Sequence, residues 1–304
     1  MIIRGWSGWP RGPLHLTFGV YDGVHRGHRE LIRQLVESAR EASATAVVCT
    51  FDTLPERVLA PERAPCLLNS PEEKAALVRA AGADAVVIWH FDEEFSRIPA
   101  DEFVGKLAAA GEVKHIVVGI DLVFGHDRAG DVRLLRRLGA RHGYTVSEVG
   151  PEEHRGAAIS STRVRAALAS GELAEANAML GREYAVRGVV VRGAGRGKGL
   201  GYPTINVQTP PERLRPKDGI YAVRVRADRE LLRGAANLGV RPTFEKDGPR
   251  LLEVYIIDRS AELYAHEVEV RFVARLRDEI AFPSPAALRE QIAKDVDDAK
   301  AALG

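Results

Sequence analysis

A chain of 304 residues with 45% hydrophobic content is long enough for two ordinary domains, each burying its own core. Lysine and arginine number 43 against 42 acidic residues, and a net charge of +1 gives no support to the basic face expected of a nucleic-acid binder. Cys49 and Cys66 are the only cysteines and make no CxxC pair, which argues against a thiolate metal site or a disulfide framework and fits a reducing cytoplasm.

The segment ahead of Phe18 carries Trp6, Trp9, Pro10 and Pro13 among Arg4 and Arg11 and has no unbroken apolar run of the signal-peptide kind. It reads as an N-terminal extension. No stretch is apolar enough over enough length to span a bilayer, so no membrane partner is expected. β-Branched runs at Leu14–Val20, Thr45–Phe51, Asp84–Trp89 and Val113–Gly119 predict buried parallel strands. Between the first two, Leu31, Ile32, Leu35, Val36 and Ala39 share one face of a helix over His28–Arg40. Strand and helix alternating in this way predict a doubly wound α/β sheet with ligands at the carboxyl ends of its strands.

Near Gly181 the pattern changes. Tyr184–Arg192, Gly219–Arg226, Leu251–Asp258 and Glu267–Leu276 alternate apolar and polar residues between Gly and Pro clusters. An antiparallel β-barrel is the economical reading, because closure removes exposed edges. A terminal helix follows, with Ser284 as N-cap, Pro285 at its first position and Leu288, Ile292, Val296 and Ala299 on one side. The expected domains are residues 1–180 and 182–304, with no internal repeat.

The first chemical constellation is Phe18-Gly19-Val20-Tyr21-Asp22-Gly23-Val24-His25-Arg26-Gly27-His28, between the first strand and the first long helix. Glycines let backbone approach a ligand, and a helix N-terminus offers free N–H groups to phosphate. Two imidazoles at that terminus can donate to charge developing in phosphoryl or nucleotidyl transfer. Residue types alone leave a loop with incidental histidines or a partial metal site equally open. Two further segments stand beside it: Gly119-Ile120-Asp121-Leu122-Val123-Phe124-Gly125 after the fourth predicted strand, and Ile159-Ser160-Ser161-Thr162-Arg163-Val164-Arg165. By themselves Phe124 reads as core, Asp121 as a turn, and Ser-Ser-Thr as a helix cap.

Together these segments resemble the FAD synthetases of the HxGH nucleotidyltransferase superfamily, whose ISSTxxR segment the last one matches and whose GxDFxFG segment Gly119–Gly125 is similar to. The resemblance implies that Gly19, Tyr21, Asp22, Gly27, Ser161 and Thr162 bind nucleotide. It implies that His25, His28 and Arg163 stabilise phosphate charge, and that Asp121 and Phe124 meet the flavin. Where that family carries Pro-His-Pro after its second strand, this chain has Thr53-Leu54-Pro55 and lacks the imidazole.

The second constellation is the glycine-rich run from Gly193 to Gly201, which satisfies neither GxxxxGK[ST] nor GxGxxG and leads into Pro203-Thr204-Ile205-Asn206. Hydroxyl and carboxamide oxygens are hard ligands suited to Mg²⁺. This region resembles the flap and PTxN signature of riboflavin kinases. Blocks at Gly219–Val223, Ala236–Phe244 and Leu276–Phe282 follow in that family's order. The resemblance implies that Gly197, Lys198 and Gly199 bind ATP, Thr204 and Asn206 hold Mg·ATP, Glu253 is the base, and Arg277 contacts flavin. Lys198 replaces a usual arginine and supplies charge without a bidentate fork.

The implied function is ATP- and Mg²⁺-dependent phosphorylation of riboflavin to FMN, then adenylylation of FMN to FAD, with these small molecules as the partners. A kinase whose adenylyl site is weakened at Leu54, and a flavin sensor without catalysis, stand as alternatives. A tRNA-binding relative is disfavoured by the charge balance and the missing KMSKS-like lysines. The sequence leaves oligomeric state open.

Overall fold

Runs dense in Val, Ile and Ala become parallel strands where helices can cover both faces, and the N-terminal half follows that rule. In the computed structural model, which describes residues 1–193, 199–239, 251–258 and 263–304, the chain divides into compact units Met1–Ser161 and Thr162–Gly304. The first unit runs β1 (Ile2–Arg4), β2 (Pro13–Phe18), α1 (Arg26–Glu41), β3 (Thr45–Phe51), α2 (Pro55–Leu59), α3 (Pro71–Ala80), β4 (Ala85–Trp89) and α4 (Glu93–Ser96). It continues through α5 (Ala100–Ala110), β5 (Glu112–Gly119), β6 (Val123–Phe124), β7 (Gly130–Asp131), α6 (Val132–His142), β8 (Thr145–Val149), β9 (Glu153–His154) and β10 (Ala157–Ala158).

Six strands form a parallel sheet in the order β1-β4-β3-β2-β5-β8. The chain winds outward from β2 through β3 to β4, then returns to add β5 and β8 on the other side. The carboxyl ends of β2 and β5 therefore flank the topological switch point, where doubly wound sheets bind ligands. Ile32, Leu35 and Val36 of α1 pack with Val78 of α3 against Val48, Val86 and Val117. The alternate residues Leu16, Val47, Cys49 and Val87 join Phe103 and Leu107 of α5 and Leu135 of α6 in a second core.

The N-terminal segment is more than an extension. Ile2, Ile3 and Arg4 pair with Val86, Val87 and Ile88, Trp9 is buried, and the Trp6 ring lies 4.8 Å from that of Trp89. β1 satisfies the edge of β4 by pairing with it, and Trp6 and Trp9 pack into the core beside Trp89.

The second unit contains α7 (Ser161–Ser170), whose first residue closes the first unit, and α8 (Leu173–Leu180). Then come β11 (Tyr184–Val191), β12 (Thr204–Gln208), β13 (Gly219–Ala227), β14 (Glu230–Gly239), β15 (Leu251–Ile256), β16 (Glu267–Arg277) and α9 (Pro285–Leu303). The strands close into an antiparallel barrel in the order β11-β12-β15-β14-β13-β16. The switch in pattern near Gly181 marks the approach to β11, and the compact unit begins earlier, because α8 belongs with the barrel. Asn177 donates to the Phe272 carbonyl at 3.0 Å and accepts from the Tyr184 N–H at 2.7 Å. Val296, Ala299 and Leu303 of α9 cover Ala222 and Ile257 on the outside of the barrel. The helix starts as its sequence dictates, with the Ser284 hydroxyl accepting from the Ala287 N–H and Pro285 in the first turn.

Candidate functional site

The loop from β2 to α1 is wound tightly. Tyr21, Gly23 and Val24 all have positive φ, of 50°, 82° and 39°. For the β-branched Val24 that conformation costs about 1–3 kcal/mol, and the loop is held against it from both ends. The Tyr21 hydroxyl bonds Thr17 Oγ1 at 2.7 Å. Asp22 is 2% exposed, and its carboxylate accepts from the Leu68 N–H at 3.0 and 3.1 Å and from the Asn69 N–H at 3.2 Å. Its carbonyl accepts from Ser161 Oγ at 2.8 Å, which ties Ser161 to this loop.

His25 is the N-cap of α1, its Nδ1 accepting from the His28 N–H at 3.3 Å. With Nδ1 accepting, the neutral ring carries its proton on Nε2. The His25 and His28 rings stack with centroids 3.6 Å apart and planes 17° apart, and Tyr21 meets His28 edge-on at 5.0 Å. Gly27 is tied to this arrangement, since a Cβ there would stand 3.3 Å from the His25 ring. At Gly19 a Cβ would stand 3.2 Å from the Tyr21 ring. Gly19, Tyr21, Asp22, His25, Gly27, His28 and Ser161 thus form one cluster at the end of β2, and Thr162 and Arg163 continue the first turn of α7.

Across the switch point, Asp121 is exposed beyond β5. Phe124 is buried, edge-on to Phe18 at 5.4 Å and tilted against Phe103 at 5.9 Å. Gly125 must be glycine, with φ of 74° and the Ala100 backbone where a Cβ would go. Beyond β3, Leu54 is 3% exposed and caps α2 without any side-chain hydrogen bond. An imidazole the sequence reading did not single out, His90, follows β4, with Nδ1 2.6 Å from Asp52 Oδ2. That hydrogen bond to the carboxylate pushes its pKa upward.

The barrel carries a second candidate site. Asn206 of β12 pairs with Glu253 of β15, which pairs on its other side with Asn237 of β14. Directly opposed residues share a face with Cβ atoms roughly 5 Å apart, so the carboxylate stands in a row between two carboxamides. Asn237 belongs to a strand whose Gly, Ala and Asn content hides it from pattern reading. The row continues through Ile220 to Arg277, while Thr204 lies two residues from Asn206 on the same face. Arg277 binds Asp295 of α9 through Nε at 2.7 Å and Nη2 at 2.5 Å, and its Nη1 donates to the Asp278 carbonyl at 2.8 Å.

Asn206 is 6% exposed, and its Oδ1 is buried with no hydrogen-bond partner among the described residues. A buried, unspent carbonyl oxygen beside a threonine fits a hard cation such as Mg²⁺. Gly193 packs on the same carboxamide so closely that a Cβ would overlap it. Among the described residues no group of three or more His, Cys, Asp or Glu could hold a metal, so phosphate and water would complete such a site. Gly197 and Lys198 lie outside the described residues, and Gly199 is exposed.

The comparisons divide as the architecture does. A family model described as FAD synthetase matches residues 11–163, and one described as riboflavin kinase matches residues 180–303. A bifunctional riboflavin kinase/FMN adenylyltransferase of Pseudomonas fluorescens is 38% identical over 286 residues, covering 94% of this chain and 91% of the relative. A relative of the same description from Escherichia coli K12 is 36% identical over 299 residues, covering 97% and 95%. A solved chain described as a macrolide-efflux protein from Streptococcus pneumoniae aligns with a TM-score of 0.89 at 31% identity, over 98% of both chains.

Proposed function

This chain belongs to the bifunctional riboflavin kinase/FMN adenylyltransferase family, and on that premise we propose that it converts riboflavin to FMN and FMN to FAD at two sites. The observation that carries the proposal is the pairing of Glu253 with Asn206 across β12 and β15, in a chain whose other unit sets His25 and His28 at the N-terminus of α1. In the kinase step Glu253 accepts the proton of the riboflavin 5′-hydroxyl as its oxygen attacks the γ-phosphorus of ATP, releasing ADP. Thr204 and Asn206 would hold Mg²⁺, which when bound neutralises phosphate charge. Gly197, Lys198 and Gly199 contribute to ATP binding. Arg277, fixed by Asp295, lines the flavin end of the row.

In the adenylyl step an FMN phosphate oxygen attacks the α-phosphorus of a second ATP, and the bond to pyrophosphate breaks. His25 and His28 stabilise the charge from the helix N-terminus, with Arg163, Ser161 and Thr162 on the phosphates. Gly19, Tyr21, Asp22 and Gly27 shape the nucleotide loop. Phe124 and Asp121 face the flavin. A cytoplasmic location, where ATP is available to both steps, is part of the same proposal.

Leu54 favours a second reading in which adenylyl transfer is weak, since a buried leucine offers triphosphate no donor. A flavin sensor has no use for Glu253 between two carboxamides. Macrolide efflux finds no support here: no described helix is long and apolar enough to cross a membrane. Incubating the chain with riboflavin, ATP and Mg²⁺ and separating the flavins tests the proposal. FMN followed by FAD is expected; FMN alone selects the second reading, and neither product overturns both.

A further inference from the structure

A lysine that the mechanism does not use lies under the adenylyl loop. Lys74, on α3, is 4% exposed. Its ammonium donates to the Phe51 carbonyl at 2.7 Å and to the Val20 carbonyl at 3.0 Å. Phe51 is the last residue of β3, and Val20 lies just past β2, at the entry to the loop carrying His25 and His28. The Val20 carbonyl also accepts from Thr50 Oγ1 at 2.9 Å, so the two strand ends are bridged twice.

The helix that presents Lys74 is itself fixed at its start. The Ser70 hydroxyl accepts from the Glu73 N–H at 3.2 Å, and the Glu73 carboxylate accepts from the Ser70 N–H at 2.7 Å, a closed capping box. The loop reaches toward α3 through Asp22, whose carboxylate takes the N–H groups of Leu68 and Asn69 just ahead of the helix. Lys74 reaches back in the opposite direction. Loop and helix are latched reciprocally, and a buried ammonium makes charge-assisted bonds about twice as strong as neutral ones.

We propose that Lys74 is a positioning residue for adenylyl transfer: by tying the ends of β2 and β3 together from beneath, it holds the His25 and His28 loop in register with the nucleotide. The role rests on the reading that this unit adenylylates FMN. Burial lowers the Lys74 pKa to about 8, against the opposing pull of the Asp22 and Asp52 carboxylates that face it. The neutral amine retains two hydrogens for the two carbonyls and loses the charge that strengthens them.

The test is FAD formation from FMN and Mg·ATP by the full chain and by Lys74→Met, which keeps the side chain's length and removes its donors and charge. Riboflavin phosphorylation by the same preparations serves as the internal control. A displacement of about 1 Å at the histidines lowers kcat for FAD formation roughly a hundredfold while FMN formation from riboflavin is unchanged. A second measurement needs no variant. The parent's kcat/KM for ATP in the adenylyl step, which reports the free enzyme, declines as pH rises through about 8. A Lys74→Met chain that makes FAD as fast as the parent, or a parent profile flat through that range, overturns the role. A parent that makes no FAD from FMN overturns the underlying reading and the role with it.

Discussion

Replacing Gly193 by alanine probes the kinase site without substituting a proposed ligand. The φ of Gly193 lies outside the left-handed region, so alanine is conformationally acceptable, but its Cβ would overlap Asn206 Nδ2 and stand 2.6 Å from Cγ and 2.8 Å from Oδ1. Ordinary contact begins at 3.4 Å, so the carboxamide must withdraw by about 1 Å, a displacement that can cost about a hundredfold in rate. That corresponds to about 2.7 kcal/mol in the transition state. The assay follows FMN formed from riboflavin and Mg·ATP at saturating substrate, with FAD formed from supplied FMN as the control in the same chain. Gly193→Ala should depress the first selectively, and on an Asn206→Ala background it should add little, because the side chain it displaces is gone. Kinase activity equal to the parent's, with the barrel folded, would refute the placement of Asn206 against the bound nucleotide.

Two further predictions concern stability. His15 and His115, with ring centroids 5.1 Å apart, both have pKa values lowered from 6.5, His15 by burial and then by the charge of His115, His115 by burial. Groups kept neutral in the fold contribute stability present above pH 6.5 and lost as pH falls below it, whereas exposed His90, raised by Asp52, acts weakly in the opposite sense. Because Trp6, Trp9 and Trp89 are the only tryptophans and all lie in the first unit, indole fluorescence during urea unfolding should show a lower midpoint at pH 5.5 than at pH 7.5; equal midpoints contradict this. A fragment of residues 162–304 should be more stable than one of 182–304. The shorter piece loses the two bonds that Asn177 makes to the Tyr184 N–H and the Phe272 carbonyl, about 0.5–1.5 kcal/mol net for each once water can replace it, and coincident denaturation midpoints would show that α8 is dispensable.

The parts of the fold legible in the sequence are those where one physical signal dominates. Val47, Val48 and Cys49 mark a strand buried on both faces, and Ile32, Leu35, Val36 and Ala39 have the phase of a single helix face. β14 escaped because its pairing with β13 and β15, rather than the propensity of its Gly234, Ala235, Ala236 and Asn237, makes it a strand. β1 and Trp6 are hidden for a related reason: β1 is a strand only because β4 offers it an edge, and Trp6 finds its partners only in the folded core. In the sites, the histidines, Thr204, Asn206 and Glu253 belong to compact motifs, whereas the place of Asn237 beside Glu253 becomes visible only through register. Lys74 did leave a trace, since it sits four residues ahead of Val78 on the buried side of α3. A lysine in that phase of an apolar stripe signals either a pairing partner or a carbonyl cage.

The central claim is that one chain performs two separable ATP-dependent reactions with Glu253 as base in only the first. The most direct measurement is a paired assay of Glu253→Gln, following FMN formed from riboflavin and FAD formed from supplied FMN. Loss of a general base lowers FMN formation by about a hundredfold to ten-thousandfold, while FAD formation proceeds at the parent's rate. Phosphorylation of riboflavin at the parent's rate, or equal loss of both reactions in a folded chain, would contradict the account.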